Sequence, residues 1–255
     1  MTSTDRSSIL LWSAAAVGVA APLVVLIAAM GSDIGWISLE TAISFLTLGL
    51  GWWLSILGTG LGLVVAALSI RRLGRAWPWL LVGLVFPALT LGGFIWMKAR
   101  ADALPPVHET ATDWSEPLGI SSTLQIARGS ASWPVTADPT ISGAIADIRP
   151  AWAQWAGRSV SDINAETCPQ AQTVGRLVPS EEVIAALEAE GVQVLGESPW
   201  RVEGTQTSNF YGRARDVVVR MNPGATDLRV VERVGLIDMG DTCGLAARIV
   251  ARLSR

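Results

Sequence analysis

The chain has 255 residues, half of them hydrophobic, with 19 basic and 22 acidic side chains and a single histidine. Charge is unevenly placed: residues 1–104 hold ten charged side chains, whereas residues 105–255 hold 18 acids against 13 arginines and no lysine, a balance of −5. The acidic half argues against nucleic acid as a partner, because phosphate binding needs a basic footprint, and one histidine with two cysteines is too few for a closed zinc site.

Three uncharged runs come first, Ile9–Met30, Ala42–Ile70 and Trp77–Met97. A helix needs about 20 apolar residues to cross a hydrocarbon core of about 30 Å, so each run predicts a span and residues 1–100 predict a three-helix membrane anchor in the lipid bilayer. The first run lacks a strong basic start and is followed by two more, which sets it apart from a signal peptide. Trp12, Trp36, Trp77, Trp79 and Trp96 suit the interfacial belt. Trp52 and Trp53 lie mid-span, where they pack between helices or face lipid. The loop "GSDIGWISLE" has no Lys or Arg, while "IRRLGRAWPW" carries Arg71, Arg72 and Arg75 on the same side as Arg6. Lys98 and Arg100 oppose them but are outnumbered. Positive charge in short loops faces the cytoplasm, so the expected orientation is a bacterial inner-membrane protein with its amino terminus inside and its C-terminal domain periplasmic.

No ionisable residue lies inside any of the three runs, which favours an anchor over a transport path. The second run contains "GTGLG", but glycines embedded in 29 uncharged residues do not form a dinucleotide-binding turn, which follows a strand and opens a soluble helix. Gly58 and Gly62, four apart, instead present a small-residue face for close helix packing.

Residues 101–119 are polar and interrupted by Pro105, Pro106 and Pro117, and read as a linker. From 120 to 177 the pattern is ambiguous: Ile145, Ile148, Trp152 and Trp155 have helical spacing, but Pro150 interrupts it. Beyond Leu177 the signals sharpen. "PSEEVIAALEAEG" predicts a helix with Ser180 as N-cap, Glu181 and Glu182 in the first turn and Gly191 as stop. Strand-like segments follow at Val192–Leu195, Trp200–Ser208, Arg213–Asn222 and Thr226–Val234. In the third, Val217, Val219 and Met221 alternate with Val218 and Arg220, the period of a half-buried strand. Leu245, Ile249 and Leu253 form the stripe of a closing helix. Strands joined by tight turns pair antiparallel. The expectation is therefore an α+β, two-layer domain over residues 120–255, best defined over 178–254, an antiparallel sheet with its helices on one face.

The segment "RDVVVRMNPGATDLRVVERVGLIDMG" (Arg215–Gly240), preceded by "WRVEGTQTSNFYG", resembles the bacterial family catalogued as domain of unknown function 1499. The resemblance rests on Arg233, Val234, Gly235, Asp238, Gly240, Arg248 and Ile249, and on "PVHETATDW" (Pro106–Trp114), where Glu109 replaces the usual Asp. It runs loosely from Pro106 to Leu253. The segment "GDTCGLAARI" is longer than the family pattern and lacks its Asn, and residues 151–178 match poorly, as an insertion would. The resemblance implies the module and no particular reaction.

Each candidate site has a structural and a functional reading. His108, the only base available to a nucleophilic triad, sits in a proline-flanked segment. Asp238 and Asp241 flank Gly240 ahead of the last helix, where they cap it or offer oxygens to a cation. Arg233 with Asp238 forms an ion pair holding this turn, or a polar cluster recognising a carboxylate or phosphate. Arg248, Arg252 and Arg255 make a solvated stripe or meet lipid headgroups. Cys168 and Cys243 both fall in the domain expected outside the cytoplasm, where an even pair favours a disulfide over two separate small hydrophobes. No metal or cofactor is expected. The leading expectation is a membrane-anchored envelope protein presenting a module that binds an envelope protein or component. The alternative is an enzyme or small-ligand carrier using a cleft near Arg233 and Asp238.

Overall fold

The computed structural model describes residues 3–69, 73–235 and 237–255. Arg71 and Arg72, which carry much of the orientation argument, lie outside the described residues, as does Ile70 at the end of the second predicted span. The chain divides into two compact units, the first of residues 1–99 with 209–212, the second of residues 100–208 and 213–255.

In the first unit, α1 (Ser3–Asp33) leads to a wide-turned π-helical stretch, Thr41–Gly51, that runs on into α2 (Trp52–Ser69). α3 (Leu73–Leu80) and a second π-helical stretch, Leu81–Val85, precede α4 (Phe86–Ala103), whose last turn, from Arg100, belongs to the second unit. Among the described residues, three helices are long and apolar enough to cross a membrane: Trp12–Asp33, Thr41–Ser69 and Trp77–Ala103. Ser55, Gly58, Gly62 and Val65 are the buried stripe of α2. A Cβ on Gly62 would stand 2.5 Å from the Gly83 carbonyl oxygen, and one on Gly58 would stand 2.9 Å from the Pro87 ring, so backbone at Gly62 and a proline ring at Gly58 approach closer than a larger residue permits. Trp52 packs edge-on against Phe94, while Trp53 is exposed. Tyr211 is buried among Ala28, Ala29 and Ala42, its hydroxyl 2.5 Å from Thr47 Oγ1.

The second unit is built on a five-stranded sheet in the order β1-β5-β4-β3-β2, antiparallel throughout. Its strands are β1 (Glu109–Ala111), β2 (Val192–Ser198), β3 (Arg201–Thr207), β4 (Ala214–Asn222) and β5 (Ala225–Glu232). The fold is α+β. One face carries Val202, Val217, Val219, Met221, Leu228 and Val230, packed under α8 (Ser180–Ala189) and α9 (Asp241–Leu253) in one continuous core. Both closing helices share that face because their apolar stripes have one surface to cover.

Three features differ from the sequence expectation. The proline-rich stretch 101–119 is not a free linker: Glu109–Ala111 pairs with β5, fully buried, and Leu118 joins a second core. A three-residue strand is too short to show a period, which hid it. The sheet is also covered on its other face, where α5 (Ser122–Arg128) brings Leu124 onto Val218, so β4 is buried on both sides rather than half-buried. Finally, Pro179 occupies the cap position of α8 and Ser180 is its first helical residue, with no side-chain cap bond.

The ambiguous region resolves into short pieces: α6 (Ile145–Ile148), a 3₁₀ turn Pro150–Trp155 and α7 (Val160–Thr167). Pro150 opens the 3₁₀ turn, which swings Trp152 and Trp155 inward onto Val107, Val160 and Ile163. Cys168, just past α7, is disulfide-bonded to Cys243 in α9 across a separation of 75 residues.

Candidate functional site

Alternation along β4 and β5 sends Asp216, Val218, Arg220, Asp227, Arg229 and Val231 to the face opposite α8 and α9. The charged members are almost entirely interlocked. Arg229, fully buried, donates to Glu109 through Nε (2.8 Å) and Nη2, and to the carbonyls of Leu118 and Thr136. Asp216 accepts from Arg128, from Thr205 Oγ1 at 2.6 Å and from Arg233 at 2.7 Å. Arg233 also donates to Thr205 and to the Ala127 carbonyl.

Arg233 and Asp238 are therefore not partners. Arg233 continues the β5 alternation onto the face with Asp216, whereas Asp238 sits at the foot of α9 on the other side. There the Asp238 carboxylate accepts Gly240 N–H at 2.9 Å, Thr242 N–H at 3.0 Å and the Thr242 hydroxyl. It thus caps α9 from two residues upstream of the Gly240 cap position. Burial pushes its carboxyl above the usual range against the pull of these bonds. Met239 and Gly240 both have positive φ, 61° and 81°, and the left-handed Met239 costs about 1–2 kcal/mol.

Asp241 turns away from Asp238 and pairs with Arg215, which also reaches Gln206 Oε1 at 3.1 Å. Between Arg215 and Arg213 lies Glu232, fully buried, with guanidinium nitrogens 2.7 and 3.6 Å from its oxygens. Burial raises its pKa to about 7, against the charges of Arg213 and Arg215. Arg213 extends to the Ile237 carbonyl at 3.0 Å and so pins the loop leading to α9. His108 stacks on Trp133 with centroids 4.8 Å apart; burial, then Arg213, lower its pKa to about 4. Arg248 and Arg252 both clamp Glu190, at 2.7 and 2.6 Å, instead of forming a free basic stripe.

Beside Asp238 lies a cavity of about 200 Å³, lined among others by Arg100, Thr110, Asn164, Thr167, Met239 and Cys243. Cys168 follows directly on α7, so the disulfide links the helix carrying Asn164 to the one capped by Asp238. Of the residues singled out in the sequence, Asp238 and Cys243 meet here; Asp241, Arg233 and Arg248 do not line the cavity. Thr110 and Asn164 escaped sequence reasoning because one sits in the supposed linker and the other in the ambiguous region. Among the described residues no group of three or more His, Cys, Asp or Glu side chains is placed to hold a metal ion. No protein-family model, curated protein or solved structure matches the chain.

Proposed function

We propose that this chain is a bacterial inner-membrane protein whose three apolar helices anchor an extracytoplasmic α+β module, and that the module acts by binding an envelope component. On this reading it belongs with the domain of unknown function 1499 family, through the Arg215–Gly240 segment. The observation that carries the proposal is the state of the charged groups. Arg233, Asp241 and Arg248 each have protein partners that satisfy them, as structural groups do. The single histidine stacks on Trp133 with a low proton affinity, which suits packing better than general-base work near neutral pH.

Two observations support the placement. Arg6, Arg71, Arg72 and Arg75 outnumber Lys98 and Arg100, which favours the cytoplasm for the amino terminus. The Cys168–Cys243 disulfide suits an oxidising compartment. The ligand-carrier reading draws on the cavity beside Asp238, and is a form of binding rather than a competitor to it.

Thiol trapping tests the placement. Cells are quenched in acid, and the denatured, unreduced protein is alkylated and weighed. No alkylated cysteine is expected. Two alkylated cysteines in freshly quenched cells would put the module in a reducing compartment and overturn the proposal.

A further inference from the structure

The side-chain hydrogens around the cavity beside Asp238 are already committed, and this limits what the cavity can hold. Asn164 is buried and donates both Nδ2 hydrogens, to the carbonyls of Glu109 and Val160 at 3.1 Å each. Carbonyls only accept, so the amide orientation is fixed and Oδ1 is left as an acceptor with no donor among the described residues. The Thr242 hydroxyl gives its hydrogen to Asp238, so in the 3.0 Å contact between Thr110 and Thr242 it is Thr110 that donates. Thr167 gives its hydrogen to the Ile163 carbonyl at 2.8 Å. Every side-chain hydrogen of these three lining residues is committed, and what they can still offer is acceptor lone pairs, beside a buried carboxylate. Such a lining calls for a ligand rich in N–H donors and carrying positive charge.

The opposite sign of charge stands at the edge. Arg100, in the last turn of α4 and exposed, lines the same cavity and donates to the Met239 carbonyl at 3.2 Å. The cavity, about 200 Å³, is below the roughly 300–1,000 Å³ of drug-sized pockets and equals roughly six or seven waters of bulk volume. Arg100 lies in the last turn of the third apolar helix and Leu104 directly follows its end, so on the membrane reading above these two lining residues come where the chain leaves the bilayer, at headgroup level.

We infer that the cavity binds an aminoalkyl phosphate, its ammonium against Asn164 Oδ1, Thr110, Thr167 and Asp238, and its phosphate beside Arg100. The inference rests on the membrane-anchored binding module proposed above and names its ligand class. The same chemistry is presented by a phosphatidylethanolamine headgroup and by a free soluble aminoalkyl phosphate.

The test uses the full chain in detergent, titrated with O-phosphoethanolamine and followed by melting temperature and by the Asn164 side-chain amide resonance. Phosphocholine, which has no N–H, and inorganic phosphate are expected to bind about tenfold more weakly or worse, the loss of a charge-assisted hydrogen bond. Thr110→Val and Arg100→Gln should each weaken phosphoethanolamine by a similar factor. Equal affinity for phosphocholine or for phosphate alone would overturn the inference. So would an Asn164 resonance that does not move in the unmodified chain, a readout independent of whether either variant folds. Native mass spectrometry of the chain from mixed-lipid nanodiscs separates the sources: retained phosphatidylethanolamine over phosphatidylglycerol assigns the lipid, and headgroup binding without that enrichment assigns the soluble ligand. Free thiols in the trapping experiment with headgroup binding intact would remove the envelope placement and leave this site standing. Lost binding with oxidised cysteines would do the reverse.

Discussion

Both faces of the sheet are covered, by different means. Under α8 and α9 the contacts are mainly Val, Leu, Ile, Met and Ala, with Arg215 and Glu232 at the end where Asp241 opens α9; on the face under α5, arginines and carboxylates interlock around a small cluster of Leu118, Leu124 and Val218. Burying an apolar side chain is favourable whatever it touches. A buried guanidinium is tolerable only with its partners in place. The first face should therefore lose stability in proportion to the volume removed, and the second should fail when one partner is removed and largely recover when both go.

The largest effect should come from breaking the charged face. Arg229→Ala leaves Glu109 buried without its counter-ion and is expected to cost about 3–5 kcal/mol in denaturant melts of the full chain. Arg229→Met combined with Glu109→Leu should regain most of that loss. A double variant as unstable as the single one would mean that the pair is not what the face depends on. On the apolar face, Leu245→Ala should cost about 3 kcal/mol, and no second truncation should restore it.

A smaller effect separates the faces directly. Arg233→Ala and Asp238→Ala remove side chains that share no partner, one holding Asp216 and the other capping α9. Each should cost about 1–3 kcal/mol, and the costs should add within about 0.5 kcal/mol. Coupling well above that would restore the ion pair that the sequence allowed.

The subtlest effect is a slope with pH. Glu232, raised from 4.5 to about 7, contributes stability that is present below pH 4.5 and lost as pH rises through 7. His108, lowered from 6.5 to about 4, contributes stability that is present above 6.5 and lost as pH falls through 4. The two oppose each other between pH 4.5 and 6.5. Glu232→Gln should leave the histidine's contribution alone, so that stability climbs with pH across this window more steeply than in the parent. Equal slopes in the two proteins would show that Glu232 does not titrate there.

The strong parts of this fold were legible because their signals are periodic. The alternation in "DVVVRM" and the stripe Leu245, Ile249, Leu253 locate β4 and α9, and three uncharged runs locate the apolar helices. The same alternation carried the charged face, in Asp216 and Arg220 and in Asp227 and Arg229, but a charge on a strand is ordinarily solvent-facing, and nothing local shows that α5 will cover it. β1 was hidden by its length. The cavity was hidden by its make-up, since it draws on the end of α4, β1, α7 and the loop before α9, segments as far apart in the chain as Arg100 and Cys243. The pairing of Arg233 with Asp238 was misleading because five residues in sequence cross from one face of the sheet to the other.

Paired reporters fused after Arg255 show on which side of the membrane the α+β module lies, and so whether it stands outside the cytoplasm on its three-helix anchor as proposed. An extracytoplasmic module gives an active alkaline phosphatase fusion and a dark green fluorescent protein fusion of equal abundance. A phosphatase that stays inactive beside a bright fluorescent fusion would place the module in the cytoplasm and contradict the proposed placement.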